Sequence, residues 1–492
     1  CISGCNAKGS QINQPEITSY QEIPGITEDE IDAIKELQAE NQNFIYGVLD
    51  TMEAFVDEDG EIHGFAKEFC TFFSEMFGIE VIPQIFEWDQ ISSKLEDESI
   101  DFIGEWIVTP QRQEKYYMTS AIAERSIALY KKADTEDLDV IAKKRIPKLG
   151  FLTGAHYATI FQQMYTEPYE AIAVSSLTEA VEMLKSGVID IFVNKNVSAS
   201  FFRRYDDIVA MEFTSPIYIP ASLTTANPDL QVIISAMNKY IDNGGAEYIS
   251  YLYAKGMNEY KRNCLFQSFT EEEKNYLDKL SANDESIPIV LEPDHYPISF
   301  YNDKEEEYQG IANDILKEMS NLIGLDFEVQ NTKKDSWPEV YQLLTEGNAA
   351  MISELIYTDS REGSFLWSKT PYTTTSYALI SKKDYPYLEI YQVISKKTCV
   401  VKNTMSEIMY KNWFPTKTPI SYNSPQEAYK ALEDGEIDLF MATEHRLLSQ
   451  ANYYEDPTFK VNILMDQVVE SKFGFHKSQE LLCSIMDKAQ PY

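Results

Sequence analysis

The chain has 492 residues, 44% of them apolar and 13% aromatic, which excludes wholesale disorder, since disorder needs low hydrophobicity beside high charge. Its 42 basic and 79 acidic residues give a formal net charge of −37, and such a chain repels a phosphate backbone, so a nucleic-acid partner is not expected. Six cysteines without a CxxC pair and five histidines argue against a zinc framework and against a disulfide-dependent fold, leaving one disulfide open.

At the N-terminus, Ile2-Ser3-Gly4-Cys5 has the form of a lipobox, which makes Cys5 a lipidation candidate. The hydrophobic stretch that should precede it is absent. Either the chain begins inside a signal sequence or this is the outer end of a removed anchor, and both place the folded part outside the cytoplasmic membrane. No run of eighteen apolar residues is present, so no spanning helix is expected. Thr27 with Glu30 is a capping-box start for a polar helix, followed by a β-rich run at Ile45–Leu49. An amphipathic helix is predicted over Ala66–Met76.

The pattern then repeats. Thr270 and Glu273 open a second polar helix at an offset of 243. Gly64-Phe65-Ala66 matches Gly310-Ile311-Ala312, and Thr109-Pro110-Gln111-Arg112 matches Thr358-Asp359-Ser360-Arg361. Ser186-Gly187-Val188-Ile189-Asp190 matches Asp434-Gly435-Glu436-Ile437-Asp438, and Val232–Lys239 matches Leu481–Lys488. Offsets of 246, 249, 248 and 249 mean a duplicated unit of about 240 residues, too long for a solenoid repeat. The second copy carries a helical pattern over Ile311–Leu322 and a β-rich run at Tyr377–Ile380. Alternating β and α segments predict an α/β fold with ligands at the carboxyl ends of strands. We divide the chain into a leader at 1–25, a first module at 26–264 and a second at 265–492, the second stopping inside its last helix, as a chain cut before a transmembrane helix would.

Taken in order, these motifs resemble the family-3 solute-binding proteins, the Venus-flytrap modules that bind amino acids and similar polar molecules. The second copy carries the resemblance almost end to end, through Tyr296-Pro297-Ile298-Ser299-Phe300, Gly310, Thr358–Arg361, Phe365-Leu366-Trp367-Ser368, Pro371-Tyr372, Val400–Thr404 and Leu432–Asp438. The resemblance implies two tandem type II periplasmic-binding-protein-like modules, each with two lobes and a hinge closing on a ligand. Tandem modules of this kind are typical of the ectodomains of sensor histidine kinases and diguanylate cyclases. That implies an extracytoplasmic, membrane-tethered sensor region, with room for a homodimer through its membrane-proximal end. The lipobox supports the alternative of a transporter's binding lipoprotein. A dehydratase-like enzyme on the same fold is a third reading, but no catalytic constellation and no cofactor motif stands out.

Site residues follow from the same resemblance. In the family, the arginine of T-x-x-R holds a ligand carboxylate, for which a guanidinium's rigid fork of donors is suited. That points to Arg361 with Thr358, and to Arg112 in the first module. Glu354 and Glu105 stand seven residues earlier, where relatives have small residues. They either accept a ligand ammonium or pair with the arginine and neutralise the pocket. Thr404 falls on the family's Gly-Thr pair, with Asn403 for the glycine; the first module reads Gly154-Ala155. The amine-binding aspartate falls on Thr443, beside Glu444, and on Lys195. His295, Tyr296, Phe300 and Tyr372 are candidates for lining the second cleft, with Glu53 and Phe55 in the matching stretch of the first. The second module is therefore the better amino-acid-like pocket; the first has diverged and binds something else or serves coupling.

Overall fold

The computed structural model describes residues 17–492 apart from 41, 58, 214–217, 359–360, 403, 449–450 and 452–456. The lipobox with Cys5, and Asn403, lie outside the described residues. The chain packs into two units, Cys1–Asn263 and Cys264–Tyr492, and the helix Ala246–Ser268 runs from one into the other.

Each unit holds two five-stranded sheets. In the first unit, one sheet runs Glu80–Ile85, Asn43–Val48, Phe102–Trp106, Ile219–Thr225, Tyr117–Arg125, and the other Ile208–Glu212, Ile127–Lys132, Ile191–Lys195, Lys148–Leu152, Glu170–Val174. The first three strands of the first sheet are parallel and the last two antiparallel to their neighbours. Parallel strands are covered on both faces, and accordingly Phe102–Trp106 is buried throughout. The second unit repeats the plan with Phe327–Val329, Ile287–Val290, Met351–Ile352, Gly474–His476, Phe365–Trp367 in one lobe. Its other lobe orders Ile420–Tyr422, Thr398–Val401, Leu439–Thr443, Thr373–Lys382 and Phe459–Ser471. The two connections between these lobes are long strands that pair antiparallel from Thr373↔Ser471 to Lys382↔Phe459. In the first unit only Ser126 separates the strands Tyr117–Arg125 and Ile127–Lys132, which belong to different lobes.

The repeat is visible in local chemistry. Glu30 Oε2 accepts from the Thr27 amide at 2.8 Å, and the Thr27 hydroxyl accepts from the Glu30 amide at 3.2 Å. Thr270 and Glu273 form the same box. Both glutamates also reach the repeated terminal helix of their lobe. Glu30 takes Ser235 at 2.7 Å and Lys239; Glu273 takes Ser484 and Lys488 at 2.6 Å. The predicted helices are observed as Phe65–Phe77 and Ile311–Ile323. Each follows a glycine with φ of +90° or +117°. A Cβ there would sit 2.7 Å from the Glu53 carbonyl oxygen at Gly64, or 2.6 Å from that of Ile298 at Gly310. Only glycine meets both demands.

Among the described residues, Cys70, Cys264, Cys399 and Cys483 are free thiols, and no helix is long and apolar enough to cross a membrane.

Candidate ligand-binding site

The first unit's cleft is occupied by its own charges. Arg125, at the end of the strand that leads to the second lobe, donates through Nε to Glu53 Oε1 at 2.8 Å and through Nη2 to Glu53 Oε2 at 2.5 Å. It also donates through Nη1 to Glu105 Oε2 at 3.0 Å and through Nη2 to the Gly104 carbonyl at 3.0 Å. From the second lobe, Lys195 Nζ reaches Glu105 Oε2 at 2.5 Å, with the Trp88 ring 5.7 Å away. Tyr253 donates to Glu53 at 2.9 Å. All four charged residues are buried and cancel in sign. Burial opposes the charge on Glu105, but Arg125 and Lys195 overcome it and hold its carboxyl below the usual range. Burial and the Arg125 guanidinium pull the Lys195 ammonium down, and Glu105 pulls it back. Further bonds cross between the lobes: Met52 N to Val197 O at 3.0 Å, Trp88 Nε1 to Thr153 O at 3.2 Å, and the ion pair Arg204–Asp50.

Of the two alternatives for Glu105, a ligand ammonium or pairing with Arg112, the pairing is not seen; its partners are Arg125 and Lys195. Arg112 turns away and donates to the Ile107 carbonyl at 3.0 Å, with its guanidinium over Trp106. Phe55 packs against His63 and Tyr260. No motif marks Arg125 in the sequence, and Lys195 stands out there only as a basic residue at the family's aspartate position.

The second unit has an open cleft of about 450 Å³ between its lobes. His295, Glu354 and Arg361 line it from one lobe, and Thr404, Thr443 and Arg446 from the other. Arg361 repeats the conformation of Arg112, donating to the Ile356 carbonyl at 2.9 Å, with its guanidinium over Tyr341. The Thr358 carbonyl accepts from the Arg361 amide at 2.9 Å, which shapes the turn. Thr404 precedes the helix Met405–Trp413 and donates its hydroxyl to the Val401 carbonyl at 2.7 Å.

The contrast between units lies at matching positions. Glu354 corresponds to Glu105, but Thr443 stands where Lys195 does, and Thr373–Lys382 carries no arginine. Glu354 is 4% exposed and has His295 Nδ1 at 3.0 Å; Glu292 lies 3.6 Å from the same atom. Burial works against the imidazolium, yet Glu354 and Glu292 outweigh it and raise His295 to about 9. The Thr443 hydroxyl is buried without a hydrogen-bond partner among the described residues. Across the cleft, Gln426 donates to Asp294 at 2.6 Å, and Arg446 lies 3.7 Å from Asp294 and 3.9 Å from Glu292.

The model of the bacterial extracellular solute-binding proteins, family 3, matches residues 45–280 and again 287–489. The chain belongs to that family. A solved structure described as "Structure of VC protein" has 14% identity and a TM-score of 0.54, with 91% of this chain and 97% of that one covered. The BvgS periplasmic domain of B. pertussis aligns over 97% of this chain and 91% of its own at 17% identity and TM-score 0.44. The ArtJ protein of Geobacillus stearothermophilus, described as binding arginine, lysine and histidine, covers 42% of this chain and 88% of its own, at 18% identity and TM-score 0.38. A search of curated protein sequences gave no match. The chain is thus a tandem pair of family-3 modules, each with a lobe on either side of a hinge.

Within the second module, not every expected residue reaches the cleft. Tyr372 packs on Phe473 and donates to the Ser353 carbonyl at 2.7 Å. Phe300 is buried in the hairpin beside Tyr296, and Glu444 opens the short helix Glu444–Leu448. Arg446, two residues on, lines the cleft instead. The aromatic pattern does not distinguish a ring that faces ligand from one that fills the lobe core.

Proposed function

We propose that the chain is the extracytoplasmic ligand-binding sensor region of a membrane-tethered signalling protein, and that its second module receives a small polar ligand such as an amino acid or a carboxylate. The observation that carries this reading is the difference between the clefts. In the first module Glu105 is satisfied by Arg125 and Lys195 and the lobes are latched. In the second, a cleft of about 450 Å³ keeps Arg361, Thr404, Thr443 and Glu354 on its walls, within the ~300–1,000 Å³ of ordinary small-molecule sites. A guanidinium has five donors, and Arg361 Nη1 donates to the Ile356 carbonyl, so donors on the fork remain for a carboxylate. Glu354 suits an ammonium. Ligand closure of this module would shift an open–closed equilibrium, with the latched first module serving to relay it.

The experiment is a thermal-shift screen of amino acids and small carboxylates on the wild type, Arg361→Ala and Arg112→Ala. Binding to the native state raises the melting temperature by mass action. A hit lost in Arg361→Ala and kept in Arg112→Ala is expected. A hit that survives Arg361→Ala overturns the assignment of the cleft. The motif Ile2–Cys5 keeps a second reading, a transporter's binding lipoprotein. It requires lipid labelling of Cys5 in cells and a permease that takes the ligand.

A further inference from the structure

Glu292, His295 and Glu354 form a cluster in which only Glu354 has a role above, toward a ligand ammonium. They come from the ends of two adjacent parallel strands, where Val290 pairs with Ile352. The chain leaves those strands through Glu292 and His295 on one side and Glu354 on the other. The Glu292 amide donates to the Ser353 hydroxyl at 3.2 Å, which ties the two exits together. One donor atom from each residue lies within 4.8 Å of the others.

The geometry is not that of a well-made ion pair. His295 Nδ1 is 3.0 Å from Glu354 and 3.6 Å from Glu292, yet neither ring nitrogen makes a hydrogen bond of acceptable alignment among the described residues. His295 is 7% exposed and lines the cleft. Two donors each about 2.1 Å from a shared cation lie ~3.0 Å apart at a right angle and ~3.4 Å apart at a tetrahedral one. The observed 3.0 and 3.6 Å separations bracket that interval, and Glu292, with 13% of its side chain exposed, has room to adjust. A cation on Nδ1 displaces the ring proton, and the neutral imidazole with two carboxylates then carries two negative charges, which a divalent cation cancels. Arg446 lies 3.9 Å from Glu292 and 3.7 Å from Asp294.

We propose that Glu292, His295 and Glu354 bind a divalent transition-metal cation of the zinc or nickel kind. One imidazole with two carboxylates suits such borderline ions better than calcium, which takes six to eight oxygen ligands. All three ligands belong to one lobe, so the cation binds with the cleft open and its remaining coordination positions face the cleft. A cation there competes with a ligand ammonium for Glu354 and leaves Arg361 to a carboxylate.

The test uses the full chain, stripped with chelator and titrated calorimetrically with zinc chloride, with calcium chloride as control. One saturable zinc site is expected, and cobalt(II) should give a visible ligand-field band. His295→Ala and Glu354→Gln should each weaken zinc about tenfold or more and abolish the band. Glu292→Gln, at the partly exposed position, should do the same with unchanged circular dichroism. Arg361→Ala should keep the zinc affinity, so failure of the amino-acid reading leaves this result standing. No saturable zinc binding, wild-type zinc affinity in the three ligand variants, or equally tight calcium at the same site would overturn the proposal.

Discussion

At the scale of single residues, the first module turns on Arg125. Its guanidinium holds two buried carboxylates, and replacing it leaves both without their principal partner. Breaking a buried ionic network by removing one member costs roughly 3–5 kcal/mol, so Arg125→Met is expected to lower the first unit's unfolding free energy, measured by urea titration, by that amount. Lys195→Met leaves Glu105 its bonds to Arg125 and should cost less, about 1–3 kcal/mol. Equal losses would mean that Lys195 anchors the network as much as Arg125 does. Neither residue sits in a repeated motif. Glu105 and Lys195 are 90 positions apart and Glu53 and Arg125 are 72 apart, so no local pattern announces their meeting. The seven-residue spacing of Glu105 and Arg112 was visible and suggested the wrong partner, because the turn after Thr109 sends the arginine to the Ile107 carbonyl.

At the scale of elements, the repeat was plainly legible. Capping residues, the glycines and the alternation of strands and helices act over a few positions, and each was observed where its pattern stood. Gly310→Ala forces a Cβ against the Ile298 carbonyl at a φ of +117°, and should destabilise the second unit by roughly 1–3 kcal/mol in chemical denaturation. The capping glutamates do more than close a helix. Burial opposes the charge on Glu30, but Lys239, the Thr27 amide and the Ser235 hydroxyl outweigh it and lower its pKa from 4.5 to about 2. Because the folded value lies below the unfolded one, this stabilisation is fully present above pH 4.5 and is lost as pH falls toward about 2. The melting-temperature gap between wild type and Glu30→Gln should therefore be widest near neutrality and close by about pH 2. A gap that persists at pH 2 would show that packing, not charge, makes the difference.

For the whole molecule, two units with separate cores predict two calorimetric unfolding transitions. Arg125→Met should lower one of them, and a ligand found in the screen should raise the other. A single transition moved by both would show that the units unfold as one. The sequence by itself determined the duplication, the α/β alternation, the capped helices and the family, because these rest on short-range periodicity and on backbone demands that a glycine or a threonine reveals. It also singled out Arg361, Glu354, Thr404 and Thr443, which the structure brings to one cleft. Only the tertiary structure decided that Glu105 is consumed by Arg125 and Lys195 while Glu354 meets His295 and Glu292. The physical reason is that a buried charge is settled by whatever opposite charge the fold carries to it, and those partners arrive on strands and loops far apart in the chain.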